Sequence, residues 1–160
     1  MDMLVKLYDL PDGRALTERL QVDGVTFRRA LAPEKDRLVD WVRTQFSQPW
    51  ACEVDIAMTR QPIACFIALQ EKALIGFACY DSTCRNFFGP TGVEPNRRRS
   101  GVGTALLLSC LEDMKNQGFA YAIIGGVGPA AYYEKAVGAV SIEGSEPGFY
   151  RGLLGSPRFG

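Results

Sequence analysis

Apolar positions along the chain change period several times, and each change marks an element. A short apolar run at the start (Leu4, Val5, Leu7, Tyr8) gives way to a turn at Pro11-Asp12-Gly13, then to a short helix reaching Leu20. After Asp23-Gly24, the stretch Val25–Ala30 alternates like a strand. Pro33 opens a helix with Glu34 and Asp36 in its first turn, where the helix dipole favours acids. Leu38, Trp41, Val42 and Phe46 recur through it at helical spacing, and a second, weaker helix covers Trp50–Met58. Two apolar runs, Ala64–Gln70 and Ala73–Asp81, are separated by Glu71-Lys72 and read as a hairpin of core strands. A further run, Phe87–Val93, should end or splay at Glu94-Pro95, because proline cannot donate to a strand ladder.

A helix follows from about Gly101 to Gln117, with Leu107, Leu111 and Met114 as its apolar stripe and Gly118 as its stop. Phe119–Gly126 reads as a buried strand, and Pro129–Gly138 as a short helix between proline and glycine. Ala139–Gly144 and Phe149–Leu154 are expected as two final strands around the loop 145–148. This is an α/β chain with a mixed central sheet: a lead-in segment over 1–24, a domain over 25–155 and a tail over 156–160.

Composition narrows the picture. A chain of 160 residues, 47% hydrophobic and 22% charged, suits one soluble domain. Lys plus Arg and Asp plus Glu balance at 18 each, so no global field draws the chain to nucleic acid or a membrane surface. The apolar runs fall short of the ~20 residues that span a bilayer. The first residues carry acids where a signal peptide needs bases, so a cytoplasmic location is expected. Five cysteines without a CxxC pair read as buried free thiols. With no histidine, His-dependent triads and His–metal sites are excluded, and a general base must be a carboxylate, Tyr, Cys or water.

The chemistry concentrates in Arg97-Arg98-Arg99-Ser100-Gly101-Val102-Gly103-Thr104. A strand end, a loop rich in Arg and Gly, and a helix start together make an anion site. The first helical N–H groups lack partners and the dipole is positive there. Gly101 and Gly103 let a ligand approach the backbone. Ser100 and Thr104 add hydroxyls, and Arg98 and Arg99 add charge-assisted contacts. No Walker loop is present, and the GxG here lacks the third glycine of a dinucleotide fingerprint.

This stretch resembles the signature of the GNAT superfamily of N-acetyltransferases, R/Q-x-x-G-x-G/A after a strand ending V-x-P. Val93-Glu94-Pro95 precedes Arg98-Arg99-Ser100-Gly101-Val102-Gly103 with that spacing and context. Downstream, Tyr133-Glu134-Lys135-Ala136-Val137-Gly138-Ala139 looks like the family's Y-E-K-x-G-F/A helix with one extra residue. The resemblance implies a GNAT-like mixed sheet in one domain, with its fourth and fifth strands, counted from Val25 and thus lying over 87–93 and 119–126, splayed and helices on both sides. It implies acetyl-CoA as co-substrate, no metal, and direct acetyl transfer to a primary amine of a small molecule or peptide. Neither nucleic acid nor membrane is an expected partner, and proteins of this kind often form homodimers.

Residue by residue, Val93 and its neighbours would hold the pantetheine arm. The amides of Arg99, Ser100, Gly101, Val102, Gly103 and Thr104 would wrap the pyrophosphate, with Arg98 beside them. Tyr133 matches the family's general acid. For the base, Glu94 is the leading candidate, followed by Asp81 and Glu53. Tyr80 and the loop 144–150 are expected to border the acceptor site, where Glu146 could meet a cationic substrate. Gly126 stands where many relatives carry an Asn that contacts the cofactor. An acyl-CoA-binding sensor on the same scaffold would keep the 98–104 loop but need neither Tyr133 nor a base.

Overall fold

The computed structural model describes residues 1–155; the tail assigned to 156–160 lies outside them. Its strands are β1 (Met3–Lys6), β2 (Val25–Arg29), β3 (Cys65–Gln70), β4 (Ala73–Tyr80), β5 (Phe87–Val93), β6 (Tyr121–Ile124) and β7 (Val140–Ser141). Its helices are α1 (Arg14–Val22), α2 (Lys35–Gln45), α3 (Gln48–Thr59), α4 (Val102–Asn116) and α5 (Ala130–Val137). The strands form one seven-stranded mixed sheet in the order β2-β3-β4-β5-β6-β1-β7. Only β5 and β6 run parallel.

The middle of the sheet is covered on both faces, which is why β4 reads as a continuous apolar run. Phe77 points to one side and meets the rings of Trp41 of α2, Phe46 just after it and Trp50 of α3. Its neighbours in the pleat point the other way. A Cβ on Gly76 would sit 3.0 Å from Leu106 of α4, and the Tyr80 hydroxyl donates to Asp113 of α4. The α4 stripe Val102, Leu106, Leu107, Leu111 and Met114 is buried against that face. Ser47 starts α3 by accepting a bond from the Trp50 amide at 3.3 Å.

Two expectations need correction. The segment read as a lead-in carries a strand inside the sheet: β1 lies antiparallel between β6 and β7, with Met3 and Val5 fully buried. Of the expected pair of final strands, the described residues show only part of the first. Val140–Ser141 is all that pairs of the first, and the second folds as a 3-10 turn at Gly148–Tyr150 followed by turns. The physical reason is occupancy: β1 already takes the place beside β6, so the C-terminal chain finds no long edge there. Of the cysteines, Cys65, Cys79 and Cys110 are buried free thiols as expected, but Cys52 is exposed and Cys84 only partly covered.

A polar knot fastens α4 to the sheet. Arg29 of β2 donates to Asp113 at 2.6 Å and to the Ile63 carbonyl, and its guanidinium lies 4.9 Å from the Phe66 ring centroid. Tyr80 and Gln117 complete the shell around the Asp113 carboxylate. Burial alone would push the Asp113 carboxyl up, but the bonds from Arg29, Tyr80 and Gln117 together hold it below the ordinary range. Tyr80 is pushed up to about 12, first by burial and then by Asp113. Asp113→Asn should therefore cost about 2 kcal/mol at neutral pH, a fall of roughly 4–8 °C in Tm. A depressed folded-state pKa contributes fully above the unfolded value of about 3.9 and is lost as pH falls through the folded value. The Tm gap between wild type and variant should thus persist from pH ~7 to ~5 and close below pH ~4; thermal melts across that range check it.

Candidate active site

Strands β5 and β6 are hydrogen-bonded neighbours only at Phe87–Ile123 and Phe88–Ile124. Beyond Phe88 the two part, while β5 stays paired with β4 as far as Val93. The gap opens into a cavity of about 310 Å³ lined by Phe46, Trp50, Thr91, Gly92, Val93, Arg98, Gly103 and Tyr133. Gly92 allows its aromatic wall. A Cβ there would stand 2.5 Å from the Phe46 ring, so only glycine lets that ring lie on the strand.

At one end of the cavity, the loop after β5 turns into α4. Among the described residues, none of the amides from Arg99 to Thr104 has a protein acceptor; the first bond of the helix is Ala105 N–H to the Gly101 carbonyl at 2.9 Å. Gly101 caps the helix at φ +97°, a left-handed conformation. A Cβ there would fall 2.8 Å from Leu16 and 3.0 Å from the Arg19 guanidinium, because α1 packs on the loop. Arg19 donates to the Ser100 carbonyl at 3.0 Å, and the Ser100 hydroxyl donates to the Arg97 carbonyl. Arg99 sits at φ +66°, a left-handed residue in the turn that leads into α4. Arg98 lines the cavity and donates to the Val93 carbonyl at 3.3 Å, whereas Arg97 is exposed and does not line it.

Tyr133 and Tyr132 come from α5 and pack edge to face, ring centroids 4.9 Å apart. Tyr132 is 37% exposed, and its hydroxyl lies 3.0 Å from Thr104 Oγ1 in the first turn of α4. Tyr133 is 9% exposed, and burial, with a smaller contribution from Tyr132, pushes its hydroxyl up to about 12. It also lines a second cavity of about 700 Å³, which shares Trp50, Phe88, Thr91 and Tyr133 with the first. The two form one cleft with Tyr133 at the junction.

The second cavity is bounded by Glu53 of α3, Thr83, the 124–129 turn and the segment Glu146, Pro147, Tyr150. Glu53 accepts from the Thr83 hydroxyl, and burial raises its carboxyl above the ordinary range while that bond opposes the rise. Gly126 donates its amide to the Asp2 carboxylate at 2.8 Å, and a Cβ there would lie 3.4 Å from the Tyr150 ring. The space of an Asn side chain is therefore taken by Tyr150, and the backbone group is used inside the protein.

The other candidates fall elsewhere. Glu94 lines neither cavity, and its amide bonds back to Ile75. Asp81 is buried, and its carboxylate accepts from the Asn86 amide at 2.6 Å to hold a turn. Tyr80, expected beside the acceptor site, is 1% exposed and belongs to the Asp113 knot on the α4 face. Pleat alternation in a strand buried on both faces does not tell which face opens on a cleft. Phe46 and Trp50 line the cleft without belonging to any motif; the signal in the sequence that bears on them is Gly92 inside a strand.

The acetyltransferase (GNAT) family model matches residues 35–139, about two thirds of the sequence. The chain belongs to the GNAT acetyltransferases. No curated protein matches its sequence. Among solved structures, it resembles the GCN5-related glucosamine N-acetyltransferase region of a fungal multi-domain GH3 beta-N-acetylglucosaminidase. That match has a TM-score of 0.70 and 14% identity over 85% of this chain and 19% of the other. A Drosophila protein matches with a TM-score of 0.58 and 13% identity over 88% of this chain and 46% of its own. A GNAT-family protein from Desulfovibrio desulfuricans gives 0.51 and 23% over 70% and 83%. At these identities the likeness is one of fold, and the chain spans about a fifth and under half of the first two. Among the described residues, no helix is long and apolar enough to cross a membrane, and no group of three His, Cys, Asp or Glu could hold a metal ion.

The two loop glycines differ physically. Gly101→Ala places a Cβ at positive φ and against Leu16, and should lower stability by about 1–3 kcal/mol. Gly103 is already helical and has nothing nearer than 3.6 Å to a new Cβ, so Gly103→Ala should leave stability equal or higher. Urea titration of both variants checks this contrast.

Proposed function

We propose that this protein transfers the acetyl group of acetyl-CoA to a primary amine of a small molecule, directly, with both substrates held in the one cleft. The observation that carries this reading is the run of unpartnered amides from Arg99 to Thr104 at the mouth of the β5–β6 gap. A pyrophosphate fits them: they supply several N–H donors without protein acceptors and a positive helix end, with Arg98 as a flanking charge. The apolar wall of Phe46, Trp50 and Val93 suits the uncharged pantetheine arm. The co-substrate supplies an activated thioester; the chain's own part is to hold it, bring an amine beside it and manage protons.

Tyr133 is the acid in this reading. It stands where the two cavities meet, and a hydroxyl pushed up to about 12 keeps its proton through neutral pH, ready for a departing thiolate. The larger cavity, opening from the same junction, receives the amine, and its size suits a small molecule.

Calorimetric titration of acetyl-CoA and a thiol-release assay on a panel of primary amines test the reading. Wild type should bind acetyl-CoA, Gly101→Glu should not, and Gly103→Ala should bind about tenfold more weakly despite its intact fold. Tyr133→Phe should lower kcat by about 100-fold with the acetyl-CoA Kd within about threefold of wild type. Wild type that fails to bind acetyl-CoA would refute the reading; unchanged turnover in Tyr133→Phe would remove the acid.

A further inference from the structure

The cleft is electrically divided. Its narrow arm ends on Arg98 and the unpartnered amides, whereas, among the described residues, no lysine or arginine lines the wide arm. The wide arm holds Glu53, half-covered at the side of α3, and Glu146 at the exposed rim, where the Met1 ammonium lies 3.9 Å away. The groups that face Glu53 are Thr83, which donates to it, and two neutral groups, the Tyr150 hydroxyl and the buried Cys79 thiol. No cation is bonded to the Glu53 carboxylate among the described residues. One of its oxygens accepts from Thr83, which fixes the side chain and leaves the other without a protein donor. Trp50 and Phe88 line both arms, so the path from Glu53 to the Tyr133 junction runs along an apolar wall.

We propose that Glu53, positioned by Thr83, is the group that receives the acceptor's ammonium and takes its proton, and that the wide arm selects amines carrying no carboxylate beside the amino group. This rests on the acetyl-transfer reading and deepens it. The ammonium docks on the Glu53 carboxylate and passes it one proton, leaving the nitrogen lone pair free. The N–C bond to the acetyl carbon forms as the C–S bond breaks. The thiolate takes the Tyr133 proton, and the second proton lost by nitrogen restores Tyr133. Glu53 returns its proton to water, so the net products are amide, free thiol and one released proton. An α-carboxylate on the acceptor would meet a second negative charge at Glu53, while the Met1 ammonium on the wide arm's rim is already matched by Glu146. Carboxylate-free amines should therefore enter, and α-amino acids should not. Thr83 is a positioning residue: without its hydroxyl, Glu53 keeps its charge but loses its orientation.

The probes are 2-phenylethylamine and phenylalanine, which share an aryl body suited to the apolar wall and differ by the carboxylate. Calorimetric titration into wild type saturated with coenzyme A should show 2-phenylethylamine binding at least about tenfold more tightly than phenylalanine. In the thiol-release assay, Glu53→Gln should lower kcat with 2-phenylethylamine by about 100-fold or more, leaving the acetyl-CoA Kd and the Tm unchanged. The acid-side fall of the wild-type pH–rate profile should lie above the ordinary carboxylate range and vanish in Glu53→Gln. Thr83→Val should reduce kcat less and move that fall, whereas Thr83→Ser should restore both. Equal or tighter binding of phenylalanine, no turnover of 2-phenylethylamine, or Glu53→Gln within about threefold of wild type would each overturn the inference. Failure of the wild type to bind acetyl-CoA would instead bring down the reading on which it rests.

Discussion

The parting of β5 from β6 is the constraint on which the rest of the site depends. A parallel pair that kept its ladder would satisfy the backbone groups of both strands and leave no room between them. Here the ladder stops after Phe88, and β5 is steered away by its partnership with β4, which continues to Val93. The departing strand is held from outside by the Phe46 ring on Gly92, and from below by α4 packed under β4 and β5. The gap is thus a consequence of two competing attachments. It places the exposed face of one strand, the open end of one helix and the short α5 around a single volume.

The polarity of the cleft follows from the same arrangement. The helix end at Gly101 faces the gap because the chain must turn directly from β5 into α4, and Arg99 in a left-handed conformation completes that turn. Positive potential therefore gathers at the narrow arm without any net charge on the chain, whose acids and bases balance at 18 each. The wide arm is enclosed by α3, the 124–129 turn and the C-terminal segment around Tyr150, none of which contributes a lysine or arginine to it. The bulk charge count could not have revealed this separation.

What was legible in the sequence is what short-range chemistry encodes. The loop 97–104 announces itself by glycine spacing and by a proline that ends the strand before it. The α4 and α5 ends were marked by Gly118 and Gly138, both at positive φ. What was not legible depends on distant partners. Strand β1 has four residues, and its pairing runs to residues 121–124, far along the chain. Nothing local separates such a run from a lead-in. Tyr80 and Glu53 illustrate the same limit at single positions: one sits in a strand covered on both sides, the other on a helix whose crossing over β5 decides what it faces.

The N-terminal strand ties these points together. By lying between β6 and β7, β1 brings Asp2 to the turn after β6, where its carboxylate accepts the Gly126 amide at 2.8 Å and its own amide donates to Ser145 Oγ at 2.7 Å. One buried residue thereby fixes both the turn after β6 and the start of the segment carrying Glu146 and Tyr150. Tyr150 can then settle over Gly125 and Gly126, in space that a larger residue at either position would claim. The glycines at 125 and 126 and the place of β1 between β6 and β7 therefore depend on one another: the strand anchors the far wall through Asp2, and the glycines leave the space that Tyr150 fills.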